Sequence, residues 1–333
     1  MEENNLDQIG VSVWCTVYNH EKYLRQCLDG IVMQKTTFPF EVIIHDDAST
    51  DGSAAIIREY EERYPDIIRP IYQTVNQYSQ KIPFFALYGL PMMRGKYLAV
   101  CEGDDFWCDP EKLQLQYEAM EANPDCHFCV HRTHRVSEDG KEVGPDIPNY
   151  HIPEGKLERD TFIHYILSSY TVHTTSFFRR TEDVREFVAN TPEFYKVSDV
   201  GDEPTTLYYG YLGNTFYIDR PMSCYRLFSE GSWTSRGQAN TDMRIHHFNS
   251  MQNMYAHFNI YTQYHYNFLT AAAIMKHEVA KCELLHGSRA RAQYLLKKEN
   301  RWFLRTFNKK AIISVWLEAY APCLTSFYQR LIG

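Results

Sequence analysis

The 333-residue sequence contains no run of about eighteen apolar residues, the length a spanning helix needs, so no transmembrane helix is predicted from it. Its opening stretch, MEENNLDQIG, lacks the basic start and apolar core of a signal peptide. Together these absences lead to the expectation of a cytoplasmic protein. Positive charge is in short supply: 34 Lys and Arg stand against 42 Asp and Glu, a formal net charge of -8 with a pI near 6.0. Nucleic acid is therefore not an expected partner, although local basic stretches could still draw an anionic surface. The 9 cysteines are odd in number and scattered, which suits reduced thiols rather than a disulfide framework. Cys126 and Cys129 have CxxC spacing, but no second pair completes a zinc site, and the surrounding CHFCV reads as a buried strand. The 14 histidines form no HExxH or similar spacing, and there is no internal repeat or low-complexity tract.

What is present is material for a large core: 44% of residues are hydrophobic and 15% aromatic. VSVWCTVY from Val11 is an apolar β-rich run, and Tyr23, Leu24, Cys27, Leu28 and Ile31 then recur at helical spacing. The pattern repeats with the strand FEVIIHD, the capping loop DASTDGS and the helix AAIIREYEERY. IIRPIYQ predicts a third strand, a looser segment surrounds Pro83 and Pro91, and KYLAV predicts a fourth strand. Pro110 suits the first turn of the helix PEKLQLQYEAMEAN, which leads to the strand CHFCVHR. Further on, YTVHTTSFFRR, NTFYID and MSCYRLF read as three strands, and EPTTLYYGYLG as a helix beginning near Asp202. Beyond about Gln238 the pattern is helical. Such alternation, with continuously apolar strands, implies an α/β fold around a parallel sheet covered on both faces.

Ligands in such sheets bind at the carboxyl ends of the strands. Two acidic groups fall there: Asp46 and Asp47 after the second strand, and Glu102, Asp104 and Asp105 in CEGDDFWCDP after the fourth. Like charges this close must be solvated, protonated or neutralised. Hard carboxylate oxygens suit Mg²⁺ or Mn²⁺, which can also hold a diphosphate. A solvated turn capping the Pro110 helix would be the ordinary alternative for the second cluster alone. The first cluster, at a neighbouring strand end, tips the reading toward a metal.

TVYNHEKYL, VIIHDDASTDGS, GKYLAVCEGDDFWCDPEKL, GDEPTTLYYGYLG and YRLFSEGSWT resemble, in order and approximate spacing, bacterial family 2 glycosyltransferases of the GT-A type. The resemblance runs from residue 11 to about 235. It implies a Rossmann-like, mostly parallel central sheet flanked by helices, in a catalytic domain over 1–236. Residues 237–333 would form a helical extension used for packing, oligomerisation or association with a membrane surface. It implies a nucleotide, most often uridine, held by Thr16, Tyr18, Asn19, Asp46 and Asp47. A carboxylate can accept from the uracil imide or a ribose hydroxyl, and Tyr18 could stack on the base. Asx-turn formation by Asp47 and packing of Tyr18 at a strand end are the structural alternatives.

The family's metal motif has the form DxD; here it is Glu102, Gly103, Asp104. The resemblance makes Asp104 the direct ligand of Mn²⁺ or Mg²⁺, sets Asp105 against the donor sugar or a ligand water, and sets Glu102 against the ribose or the metal's water shell. Asp202 matches the catalytic carboxylate, with Asp199 and Glu203 as rivals and helix N-capping as its structural alternative. Inversion follows from the family: one in-line displacement, without a covalent intermediate. Trp233, in the loop FSEGSWTS, is expected to close over the donor, or else to pack after a turn. Many relatives carry a histidine where this chain has Phe228 or Ser229. Any diphosphate contact it makes is absent here or supplied by Arg226.

The expected partners are a UDP-sugar and a saccharide acceptor, lipid-linked if the basic tail from Ser288 to Lys310 meets the inner face of the cell membrane. Capsule, O-antigen or other surface-polysaccharide assembly is the family's usual setting. A nucleotidyltransferase would need a basic glycine-rich phosphate loop after the first strand, which TVYNHEKYL lacks. A nucleotide-sugar-binding protein without turnover is the non-enzymatic alternative.

Overall fold

The computed structural model describes residues 9–168, 172–227, 229, 240–266, 268 and 317. These fall into two compact units: one drawn from 9–166, 172–190 and 206–229, the other from 167–168, 191–205 and the described residues from 240 onward.

The first unit is built on a nine-stranded sheet of order β3-β2-β1-β4-β8-β6-β9-β5, with β7 paired to β9. β1 (Val11–Val17) and β2 (Phe40–Asp46) are buried along nearly their whole length, so no side of either strand meets water. β1 pairs in parallel with β2 and with β4 (Tyr97–Val100), and β2 with β3 (Ile68–Tyr72). α1 (Leu24–Val32) buries Leu24, Cys27, Leu28 and Ile31, as its spacing predicts. α2 (Ser53–Arg63) likewise buries Ile56, Ile57 and Tyr60. The segment around Pro83 and Pro91 forms a π-helical turn, Phe85–Gly89, followed by a short 3₁₀ turn, Leu90–Met92.

The other half of the sheet departs from the parallel pattern. β8 (Phe178–Arg180) runs antiparallel to β4 and to β6 (Cys126–Val136), whereas β6 and β9 (Asn214–Arg226) are parallel. β5 (Phe106–Trp107) and β7 (Gly155–Leu157) run antiparallel to β9. YTVHTTSFFRR is therefore mostly not strand: within it the backbone coils into a 3₁₀ turn at Thr174–Ser176 before the three residues of β8. NTFYID and MSCYRLF are one strand rather than two. Pro221, which has no N–H to donate, sits opposite Arg132 where the β6–β9 register shifts, and this irregularity lets pairing continue past it. Cys126 and Cys129 are buried in β6 as expected, their thiols pushed up to about 11 and about 12 by burial.

α3 (Lys112–Ala122) begins two residues after Pro110 and buries its first residue completely. Lys112 Nζ donates to Gln116 Oε1 at 2.7 Å and lies 4.0 Å from the centre of the Trp107 ring. Burial lowers its pKa to about 7, against the opposing influence of Cys101 and Cys129. The unfolded chain binds this proton up to about pH 10.4, while the folded protein releases it from about pH 7 upward. The contribution of Lys112 to stability should therefore rise with pH across that window, with a slope approaching 1.4 kcal/mol per pH unit, roughly one proton's worth. Urea unfolding of wild type and Lys112→Met from pH 6.5 to 9.5 checks this. The slope should be more positive in the former than in the latter; equal slopes would disprove it.

The second unit contains α4's last described residues (α4, Arg159–Ser168), α6 (Glu193–Lys196), the start of α7 (Asp202–Leu212) and α8 (Thr241–Tyr261). α5 (Thr181–Ala189) belongs to the first unit. Phe194 of α6 packs edge-on against Phe258 of α8, with ring centres 4.9 Å apart. Asn240 caps α8 by accepting from the Met243 N–H at 3.0 Å. No helix among the described residues is long and apolar enough to cross a membrane. The basic stretch from Ser288 to Lys310 lies outside the described residues.

Candidate active site

Because β2 and β4 flank β1 and all three run parallel, they end on one edge of the sheet, β2 and β4 separated by two strand spacings, roughly 10 Å. The loops that leave this edge carry both acidic groups.

Thr16 lies near the end of β1, and its carbonyl accepts from the Gly103 N–H at 2.9 Å, tying this strand to the acidic loop. Tyr18 is 47% exposed, so the ring is presented rather than packed. Asn19 takes a left-handed backbone (φ 57°), which asparagine tolerates. Its side chain accepts from the Thr50 N–H at 2.8 Å, while its own N–H donates to Ser49 Oγ at 2.9 Å. The loop after β1 is thus laced to the loop after β2.

Asp46 and Asp47 are both buried but differ in what they hold. Asp46 Oδ1 accepts from the Ser49 N–H at 3.3 Å, a local turn. Asp47 accepts the Gln77 N–H at 2.6 Å and the Tyr78 N–H at 3.0 Å, one on each oxygen. Instead of an Asx turn into STDG, Asp47 anchors a loop 30 residues away.

Glu102, Asp104 and Asp105 each bring a carboxylate oxygen within 4.8 Å of the others. Gly103 between them is cramped: a Cβ there would stand 2.6 Å from His20 Nδ1 and 3.1 Å from the Thr16 carbonyl oxygen, so only glycine lets the loop approach β1 this closely. Glu102 Oε2 accepts from Thr174 Oγ1 at 3.4 Å. Asp104 Oδ2 accepts from Ser229 Oγ at 2.6 Å. Asp105 is 2% exposed, and its Oδ1 accepts from the Arg226 N–H at 2.8 Å. Its Oδ2 has no hydrogen-bond partner among the described residues and lies 3.8 Å from His173 Nδ1. Burial first, then the charges of Asp104 and Glu102, hold the Asp105 carboxyl well above the usual carboxylate range. Three clustered carboxylates, one with a buried unpartnered oxygen, fit a divalent cation.

Arg226 is 2% exposed, and its guanidinium donates to the carbonyls of Asp104, Ser137 and Glu138 and to Gln26 Oε1. It also lies over the Tyr23 and Phe106 rings. These bonds make it a brace of the acidic loop, which the sequence had offered only as a substitute diphosphate contact. Arg226, Ser229 and Thr174 are the contributors to this site whose part was not read from sequence. Nothing local marks them, because each reaches the acidic loop from 72 or more residues away.

In the second unit, Asp202 opens α7 and accepts the N–H of Glu203 on Oδ1 at 2.9 Å. Its two rivals are engaged otherwise. Glu203 is buried, which together with the Asp202 charge holds its carboxyl well above the ordinary value, and the Tyr255 hydroxyl donates to its Oε1. Asp199 pairs with His247 Nδ1 at 3.0 Å; burial alone would raise its pKa, but the hydrogen bond with His247 leads the influences that lower it on balance. Trp233 lies outside the described residues.

A parallel half-sheet with linked loops after β1 and β2 and a metal-capable acidic motif at the end of β4 places the fold in the GT-A class. The chain belongs to glycosyl transferase family 2, whose family model matches residues 12–184. An uncharacterised protein of Mycobacterium tuberculosis (strain ATCC 25618 / H37Rv) is 34% identical over 237 residues, covering 70% of this chain and 62% of that protein. The chain thus spans less than two thirds of that relative. Chondroitin synthase of Escherichia coli is 25% identical over 197 residues, 57% of this chain and 27% of the synthase. Among solved structures, residues 1–349 of S. aureus TarS in complex with UDP-GlcNAc share the fold, with a TM-score of 0.55 at 16% identity over 97% of this chain and 90% of that one.

Proposed function

We propose that this glycosyltransferase moves a sugar, with inversion, from a UDP-sugar to a saccharide acceptor, with Mn²⁺ or Mg²⁺ at the acidic loop. The carrying observation is the convergence of oxygens from Glu102, Asp104 and Asp105 within 4.8 Å, one of those residues keeping a buried unpartnered oxygen. UDP as the nucleotide is supported by the exposed Tyr18 ring beside the linked loops of Asn19 and Asp46, and by the UDP-GlcNAc held by TarS. The likeness to chondroitin synthase supports a saccharide chain as acceptor.

In this reading Asp104 is the direct metal ligand, with Glu102 beside it and Asp105 holding the inner side of the loop. Bound there, a divalent cation would neutralise charge developing on the leaving diphosphate. Thr16, Tyr18, Asn19 and Asp46 bind the nucleotide, Gly103 lets the loop close on β1, and Asp47 contributes by holding the loop at Gln77 and Tyr78. Asp202 accepts the proton of the acceptor hydroxyl as that oxygen bonds to the anomeric carbon and the bond to UDP breaks. Residues 1–236 serve as the catalytic domain and 237–333 as an extension of it, with the protein working in the cytoplasm.

Incubation of the protein with a panel of UDP-sugars and saccharide acceptors, with Mn²⁺ or with EDTA, tests the proposal. Metal-dependent transfer or donor hydrolysis is expected. Turnover that is indifferent to EDTA would remove the metal, and binding of UDP-sugars without any turnover would favour a binding protein.

A further inference from the structure

We propose that Ser229 selects the cation of the acidic loop by engaging one oxygen of Asp104. The inference rests on the metal reading of that loop and adds a determinant of which metal is taken. Ser229 is fully buried, and its hydroxyl donates to Asp104 Oδ2 at 2.6 Å. The end of β9 carries it there. Three residues earlier, the Arg226 N–H donates to Asp105 Oδ1 at 2.8 Å and its Nε to the Asp104 carbonyl at 2.9 Å. The Leu227 N–H then ties the segment to the Val136 carbonyl at 2.8 Å.

The result is a pattern across the cluster: each carboxylate accepts from a protein donor. Thr174 holds Glu102 Oε2, Ser229 holds Asp104 Oδ2, and the Arg226 backbone holds Asp105 Oδ1. Asp104, engaged on Oδ2, offers a cation Oδ1 and binds through one atom. Mg²⁺, and the similarly small Mn²⁺, accept a compact octahedral shell of single oxygens, whereas Ca²⁺ takes a larger shell in which bidentate carboxylates are common. The 2.6 Å bond from Ser229 is the shortest of the three and the closest to the expected ligand, so this hydroxyl weighs most against Ca²⁺. Ser229 is a positioning residue: it acts on the metal through Asp104.

The test measures Mn²⁺ binding to the full chain, freed of metal, from the electron paramagnetic resonance of unbound Mn²⁺, and then Ca²⁺ competition, with UDP at one fixed concentration throughout. Ser229→Ala should lower the Mn²⁺-to-Ca²⁺ affinity ratio about tenfold. Ser229→Thr and Ser229→Val add the same bulk and differ in the hydroxyl, so Thr should keep a ratio at least several-fold above Val. Metal-free melting temperatures monitor folding independently. Unchanged ratios in Ser229→Ala and equal ratios for the Thr and Val variants would overturn the role of Ser229 while leaving the metal site standing. Failure of the wild-type protein to bind Mn²⁺ would overturn both.

Discussion

Asp104→Asn is expected to lower kcat about 10³-fold and to abolish the response of turnover to Mn²⁺, while leaving the melting temperature of the metal-free protein nearly unchanged. The size follows from weakening the hold on the cation that would neutralise charge developing on the leaving diphosphate, a kind of stabilisation worth 10² to 10³ in rate, roughly. The tolerance follows from what holds the loop. Arg226 bonds the backbone carbonyl of Asp104, which the substitution keeps, and an asparagine carbonyl can still accept from Ser229. Kinetics at saturating UDP-sugar across a Mn²⁺ titration, alongside a thermal melt, measure both parts. A variant within tenfold of wild type and still activated by Mn²⁺ would remove Asp104 as the metal ligand.

Asp202→Asn should lower kcat by about 10² to 10⁴, the range of a positioned general base, with KM for the donor little changed. The substitution separates catalysis from capping: asparagine can still accept the Glu203 N–H that Asp202 Oδ1 accepts at 2.9 Å, so α7 keeps its start. The neighbouring acids are unsuited to the task. Glu203 is buried and bonded to Tyr255, and Asp199 is engaged by His247. Single-turnover transfer with a radiolabelled UDP-sugar checks the effect. Wild-type turnover in Asp202→Asn would move the base elsewhere without touching the fold.

Much of this is legible in the sequence alone. The first four strands and the helices α1 and α2 follow from continuous apolar runs and from hydrophobic spacing near 3.6, which are local properties, and the structure has them where the sequence predicts. The acidic loop after KYLAV was legible for a related reason: carboxylates directly after a buried parallel strand must emerge at the ligand-bearing edge of the sheet. The later strands were less legible. β9 runs on past Pro221, a residue that ordinarily breaks a strand, because extra residues in β9 shift its register against β6 there. The three-residue β8 is too short to show any alternation.

Within the site, Asp47 shows where local reading stops. DDAST looks like a local turn, yet both oxygens of Asp47 meet backbone N–H groups near residue 77. Glycine at 103 was visible, but the reason for it, the approach of His20 and Thr16, was not.

The sequence by itself determined the strand and helix alternation, the family, and which carboxylates stand at the strand ends, since each depends on neighbours a few residues away. Only the tertiary structure decided which oxygen of each carboxylate is engaged. The donors Thr174, Arg226 and Ser229 come from 72, 121 and 125 residues downstream of their partners. A hydrogen bond over such a separation leaves no periodic trace in the chain; it exists because β8 and β9 fold back beside β4 and β6 and bring those donors to the acidic loop.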